Sequence, residues 1–130
     1  YLNKKGFGSS EHATYYLQLW CSCKEALINM MVEFSIVPLG KGASVSSVIA
    51  RVMKVVIDSG IRYKANPMGT VLEGEWALVM GVVKRCHEEA LKDAERVVTS
   101  IKIDDYTGRG NRLDAKLESV EQKLGQKLNK

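Results

Sequence analysis

The chain has 130 residues, of which 45% are hydrophobic and 26% charged, a composition typical of one soluble globular domain. Its net charge of +4 is mild, its lysines and arginines are scattered, and only 7% of its residues are aromatic, so no nucleic-acid-binding surface is expected. No stretch approaches the roughly 20 apolar residues that a membrane-spanning helix needs. The three cysteines form no disulfide framework, and the reducing cytoplasm is therefore the expected compartment.

The first thirty residues lack the regular hydrophobic pattern of the rest, although residues 13–29 include enough apolar side chains for one helix. We interpret residues 1–30 as an N-terminal extension of non-native origin, such as a cloning-derived leader or a mis-assigned upstream translation. A native helix that packs on the domain is the alternative. Cys21 and Cys23 lie close together, but no further Cys or His follows at zinc-site spacing, and no metal site is expected. The domain itself is expected to comprise residues 31–130.

Hydrophobic periodicity predicts a strand and then a helix at the start of this domain. Apolar side chains alternate from Val32 to Val37, and Pro38 is expected to end the strand because proline cannot donate to a ladder. The next apolar residues repeat at helical spacing, with Ser44 as the expected N-cap and Gly60 as the residue that stops the helix. The apolar stripe of this helix consists of Val45, Val48, Ile49, Val52, Val55 and Val56.

The second half of the domain predicts a hairpin, a helix, a strand and a terminal helix. Residues Ile61–Asn66 and Thr70–Gly74 alternate as strands, and the turn residues between them predict an antiparallel hairpin. Arg96–Asp104 predicts a fourth strand. The helix before that strand has an apolar face made of Trp76, Val79, Val82, Val83, Cys86 and Ala90. The terminal helix has an apolar stripe made of Leu113, Leu117, Val120 and Leu124.

The element order β-α-β-β-α-β-α places the domain in the α+β class. Two right-handed crossovers around a central hairpin predict a ferredoxin-like β-α-β-β-α-β sandwich with an antiparallel four-stranded sheet and an extra C-terminal helix. Both main helices then lie on one face of the sheet. The opposite face carries apolar residues on several strands, so we expect a second subunit to cover it and the protein to be a homo-oligomer.

Several short runs of sequence resemble those of one known family. These runs are Phe34–Leu39, Gly60–Tyr63, Asn66–Trp76, His87–Glu88, Arg96–Thr99 and Lys102–Asp104. Together they resemble the thiamine-binding protein family over nearly the whole of residues 31–130, and Thr70–Glu75 is the most specific part. The resemblance implies ferredoxin-like subunits assembled as dimers or tetramers. It also implies non-catalytic binding of thiamine or its pyrimidine moiety as a ligand, with no cofactor.

Thiamine joins an aminopyrimidine to a positively charged thiazolium, and residues around Thr70 offer groups that suit both rings. Hydroxyls and carboxylates suit the aminopyrimidine, whereas a carboxylate or an aromatic face suits the thiazolium. The ligand-binding residues expected from the resemblance are Ser35, Tyr63, Thr70, Glu73, Glu75 and Trp76.

Four of these residues also have a structural interpretation. Ser35 suits a small-residue position on a strand that faces another subunit. If the strand face of Glu73 is buried, its carboxylate needs a partner, and Arg62 or Lys64 suits that role. Glu75 precedes the second main helix and suits a cap for its positive end. Trp76 more often anchors a helix than stacks on a ligand, because a large ring gains much from burial.

No catalytic constellation accompanies these residues. The loop at residues 39–43 lacks the arginine that acylphosphatases of this topology use, and Cys86 and His87 are helix neighbours that face different directions. A metal chaperone would carry cysteines after the first strand, where this chain has none. We therefore expect a binding protein rather than an enzyme, with no nucleic-acid or membrane partner. The alternative is a structural or regulatory oligomer without a vitamin ligand.

Overall fold

A computed structural model describes residues 30–40, 42, 44–107 and 110–130 of the chain. Its strands are β1 (Met30–Leu39), β2 (Arg62–Asn66), β3 (Gly69–Gly74) and β4 (Arg96–Asp104). Its helices are α1 (Ser46–Asp58), α2 (Trp76–Leu91) and α3 (Arg112–Leu124). Residues 1–29 of the predicted extension lie outside the described residues, and its last residue, Met30, is the first residue of β1.

The four strands form one antiparallel sheet in the order β2-β3-β1-β4, which confirms the predicted ferredoxin-like α+β fold. Side chains alternate between the two faces of a strand, so each face of the sheet has its own residues. The face that packs on α1 and α2, here the helix face, carries Met30, Val32, Phe34 and Ile36 of β1. The opposite face, here the open face, carries Met31, Glu33, Ser35 and Val37 of the same strand.

The core lies between the helix face and the layer formed by α1 and α2. Val48, Val52 and Val56 are buried on α1, and because valine is a poor helix former, this packing stabilises the helix more than propensity does. The buried residues of α2 are Val79, Val82, Val83, Cys86 and Ala90. The predicted stripes are confirmed in part: on α1, Ile49 and Val55 are half-buried and Val45 is the N-cap. On α2, Trp76 is 48% exposed because it is the first residue of the helix and precedes the first buried turn.

β1 continues through Pro38 to Leu39, so the prediction that Pro38 ends the strand is wrong. The β1–β3 register ends at Phe34, whereas β1 pairs with β4 as far as Leu39. The Phe34 carbonyl faces β3, since a Cβ added at Gly69 would lie 2.7 Å from its oxygen. Backbone groups of successive residues point to alternate sides of a strand, so the nitrogen of Pro38 also lies on that side, beyond the end of β3. Proline therefore removes no hydrogen bond from the β1–β4 ladder.

The two ends of α1 differ in how well the sequence predicted them. Ser44 is not the N-cap: Val45 occupies that position without a side-chain cap, and the Ser44 hydroxyl lies 3.3 Å from that of Ser46. Gly60 follows the C-cap residue Ser59 with a φ of +69°, as expected of the residue that stops a helix.

α3 lies against the open face, where its first turn contacts Glu73 of β3. Leu113 and Glu121 are its buried residues, whereas the other members of the predicted apolar stripe, Leu117, Val120 and Leu124, are exposed. The stripe therefore forms, but most of it does not pack on the described part of the chain. Among the described residues, no helix combines the length and apolarity that crossing a membrane requires.

Candidate ligand-binding site

A cavity of about 410 Å³ opens where β1 runs past the end of β3. α1 borders one side of this notch cavity and the turn between β2 and β3 borders another. Its apolar lining consists mainly of Phe34, Ile36, Val45, Ile49, Val52 and Met53. The volume lies within the range of small-molecule sites, roughly 300–1,000 Å³, and suits a single substituted ring.

Three of the residues that line the notch cavity carry polar groups suited to a ligand. The hydroxyl of the buried Thr70 donates a hydrogen bond of 3.4 Å to the sulfur of Met53. Because a thioether is a weak acceptor, this hydroxyl can donate instead to a stronger acceptor on a ligand. Asn66 accepts the Met68 N–H at Oδ1 at 2.8 Å, which fixes its amide and leaves the Nδ2 hydrogens as donors. The N–H and C=O of Ile36 lie past the end of the β1–β3 ladder and supply a donor and an acceptor side by side.

Gly69 allows the hairpin to approach β1 closely enough to form this site. A Cβ at this position would lie 2.7 Å from the Phe34 oxygen, a separation that the backbone cannot tolerate. Any side chain at residue 69 would therefore push the hairpin away from β1 and reshape the notch cavity.

The structure brings two of the six predicted residues, Ser35 and Thr70, to the notch cavity. Ser35 lies at the notch with its side chain on the open face. Tyr63 of β2 pairs with Leu72 of β3. Its side chain is partly exposed and does not line this cavity.

Glu73 lies on the open face, where its side chain is fully buried beneath α3. Its Oε2 accepts a hydrogen bond from Arg62 Nη1 at 2.8 Å, the pairing that its structural interpretation predicted. Its Oε1 accepts the backbone N–H of Arg112 at 2.5 Å. Both oxygens therefore have protein partners, and a ligand role for this carboxylate stays a prediction.

Glu75 and Trp76 lie where β3 leads into α2, away from the notch cavity. Glu75 is the N-cap of α2 and accepts the Leu78 N–H at 3.1 Å, so its predicted capping role is confirmed. Contact between these two residues and a ligand stays a prediction.

Sequence reasoning missed several residues of the notch cavity. Asn66 is predicted as the end of a strand, and its amide also fixes the turn that follows, but the position of this amide depends on how the hairpin meets β1. Ile49 was assigned to the core stripe of α1, and Met53 was not singled out. The specificity of the Asn66–Trp76 run is a sequence signal for Asn66, whereas Ile49 and Met53 lie outside that run.

Cys86 and His87 face different directions, as predicted. Burial raises the pKa of the Cys86 thiol to about 11, and this thiol contacts the Val52 carbonyl oxygen at 3.7 Å. His87 instead places Nδ1 2.7 Å from the Thr99 hydroxyl on β4. No group of three or more His, Cys, Asp or Glu side chains in the described part of the chain could hold a metal ion.

Residues 32–121, which span β1 to most of α3, match the family model described as "Thiamine-binding protein". The chain belongs to the thiamine-binding protein family. It is 38% identical over 91 residues to a UPF0045 protein of Methanocaldococcus jannaschii, a match that covers 70% of this chain and 91% of that protein. A UPF0045 protein of Bacillus subtilis is 34% identical over 100 residues, with 72% and 96% covered.

Two solved structures are similar to this domain and place it in the same fold. One is the crystal structure of a hypothetical protein of Methanocaldococcus jannaschii, with a TM-score of 0.68, 37% identity, and coverage of 72% of this chain and 97% of that one. The other, from Thermotoga maritima, is described as a candidate thiamine biosynthesis/salvage protein. It has a TM-score of 0.60, 26% identity, and coverage of 71% and 98%.

Proposed function

We propose that the protein binds thiamine or a related pyrimidine-containing small molecule, without catalysing a reaction, and holds the pyrimidine in the notch cavity. The observation that carries this proposal is that three residues with polar groups suited to a pyrimidine, Ile36 at the strand edge, Asn66 and Thr70, line one apolar cavity. Membership of the thiamine-binding protein family supports the choice of ligand.

The hydrogen-bonding pattern of the cavity is complementary to an aminopyrimidine. Such a ring presents an amino donor beside a ring-nitrogen acceptor, and the strand edge at Ile36 presents a C=O beside an N–H. The flat faces of the ring would pack on apolar side chains such as Phe34 and Ile49, and the Met53 sulfur is suited to contact with an aromatic ring.

We also propose that the protein is a homo-oligomer, a dimer or a tetramer, in the cytoplasm. Val37 and Val98 are paired across β1 and β4 on the open face and are 48% and 41% exposed, so a second subunit would stabilise them by burial. The free thiol of Cys86 supports a reducing compartment. Analytical ultracentrifugation at micromolar concentration tests the assembly, and a single monomeric species would contradict it.

Isothermal titration calorimetry with thiamine, its hydroxymethylpyrimidine fragment and thiamine phosphate tests the ligand. We expect saturable heat with thiamine and with the fragment. No heat with any of the three would contradict vitamin binding and favour the alternative, a structural or regulatory oligomer supported by the same exposed valines.

A matched pair of variants on α1 tests the position of the site. Ile49→Phe places a larger side chain in the notch cavity and should weaken binding of thiamine and of the fragment by about tenfold or more. Ile57→Phe makes the same change at an exposed position of the same helix and should leave both affinities unchanged. Circular dichroism melting checks that both variants fold. Wild-type affinity in Ile49→Phe would exclude the notch cavity as the site.

A further inference from the structure

A second cavity, of about 270 Å³, adjoins the notch cavity on the open face of the sheet. This open-face cavity is lined by Glu33, Phe34, Ser35, Met68, Ser100, Ile101 and Lys102. Phe34, Ser35 and Met68 line both cavities, so the two cavities are neighbours beside β1. A ligand made of two linked rings has room for one ring in each.

Glu33 is the one acidic side chain among the described residues that line either cavity. Its carboxylate lies 3.6 Å from Lys102 Nζ, and the two side chains are 45% and 82% exposed. A long ion pair between exposed groups contributes little to stability, so Glu33 is available to another cation. Glu33 also pairs directly with Val71 and Lys102 in the sheet, which fixes the position of its backbone at the centre of the open face.

We propose that Glu33 pairs with the positively charged thiazolium of a thiamine molecule whose pyrimidine occupies the notch cavity. This inference rests on the function proposed above. The two rings of thiamine are joined by a single methylene bridge, and such a ligand requires subsites that touch each other. The bridge would pass beside Ser35 and Met68, which line both cavities.

Charge then separates the contributions of the two subsites. Among the described residues, none that lines the notch cavity has an acidic or basic side chain, so the cavity would bind the neutral pyrimidine fragment and the pyrimidine of thiamine alike. Glu33 would add affinity only for a ligand that carries the cationic ring. Lys102 would oppose that ring, because it carries the same charge and competes for the same carboxylate.

Calorimetry with thiamine and with the neutral fragment, on the full chain, tests this assignment. Glu33→Gln should lower thiamine affinity about fivefold, the size expected of a partly exposed ion pair, and leave the affinity for the fragment unchanged. Lys102→Met should raise thiamine affinity about twofold. Added salt should weaken wild-type binding of thiamine but not of the fragment. Glu118→Gln, an exposed position on α3 outside both cavities, is the matched control and should change neither affinity.

The outcomes separate this assignment from the proposed function. Wild-type binding of the fragment together with unchanged thiamine affinity in Glu33→Gln would overturn the role of Glu33 alone. An equal loss for thiamine and the fragment would also overturn it, because a structural role of Glu33 acts on both. Failure of the wild type to bind either probe would contradict the proposed function and this assignment together.

Discussion

The backbone N–H of Arg112 donates a hydrogen bond of 2.5 Å to the Oε1 atom of Glu73, so a carboxylate of the sheet caps a helix that begins 39 residues later. The Oε2 atom lies 3.4 Å from the Leu113 nitrogen and accepts a second hydrogen bond from Arg62 at 2.8 Å. The N-cap residue of α3, Asn111, makes no side-chain cap of its own. Because a helix N-terminus is partially positive, a buried carboxylate there fastens α3 to the sheet.

Glu73→Gln should lower the free energy of unfolding by about 2–4 kcal/mol, because it removes the charge and turns an amide N–H group toward the donors of α3 and Arg62. Urea denaturation measures this. Glu118→Gln, an exposed site on α3, is the matched control and should change the value by less than about 0.5 kcal/mol. Equal stability of the two variants would contradict a fastening role for Glu73.

The same variant tests the ligand role that the sequence suggested for Glu73. Both oxygens of this carboxylate bind protein donors, and the residue lies outside the notch cavity. We therefore expect the thiamine affinity of the folded variant to stay within about twofold of the wild type. A tenfold loss in calorimetry, with the fold intact by circular dichroism, would assign the residue to the ligand site.

Thr70→Val should weaken binding of the pyrimidine fragment about fivefold while leaving stability nearly unchanged. The substitution keeps the shape of the side chain and removes a hydroxyl whose present partner is only the Met53 sulfur. Thr99→Val is the matched control: its hydroxyl contacts His87 away from the notch cavity, so it should affect stability rather than affinity. If calorimetry showed unchanged fragment affinity in Thr70→Val and weakened affinity in Thr99→Val, the ligand would lie outside the notch cavity.

Local patterns were sufficient to predict most elements of this fold. The hairpin of β2 and β3 follows from alternation on both sides of a turn, and the end of α1 follows from Gly60. The predicted β1 is too short at its C-terminal end. A strand can include Pro38 only because β3 ends before reaching it, and no local pattern in the sequence shows where β3 ends.

The candidate site was only partly predictable for the same reason. Thr70 was found because it lies in the most specific run of the sequence, and Ser35 because hydroxyls suit the expected ligand. Asn66 and Ile49 join the site only when the hairpin and α1 meet beside β1. The carboxylate of Glu73 has the chemistry of a ligand contact, but a contact across 39 residues places it under α3.

Acid should loosen α3 before it unfolds the core. Hydrogen bonds from Lys116 and Arg112 lower the pKa of Asp104, and a hydrogen bond from Lys64 lowers that of Asp114. Because the pKa of each carboxyl is lower in the folded protein than its ordinary value of 3.8, its ion pairs stabilise the fold fully above pH 3.8. This stabilisation is lost as the pH falls from 3.8 through the folded-state pKa.

Glu89 on α2 also has a lowered pKa, through hydrogen bonds from Lys92 and Arg51, but α2 is held in the core by five buried residues as well. Hydrogen exchange between about pH 5 and about pH 3, corrected for intrinsic rates, should therefore show α3 losing protection before α2. Simultaneous loss in both helices would contradict this order.

The thiol of Cys86 should be unreactive in the folded protein. Burial raises its pKa from 9.0 to about 11, so the thiolate that reacts with iodoacetamide is scarce near neutral pH. Peptide mapping by mass spectrometry should find Cys86 unmodified in native buffer and modified in guanidinium chloride.

The same raised pKa makes stability depend on pH. The contribution of the protonated Cys86 thiol to the free energy of unfolding is fully present below pH 9.0 and is lost as the pH rises toward 11. Cys86→Ala should remove that part of the alkaline loss in urea titrations, and an unchanged pH dependence would show that another group causes it.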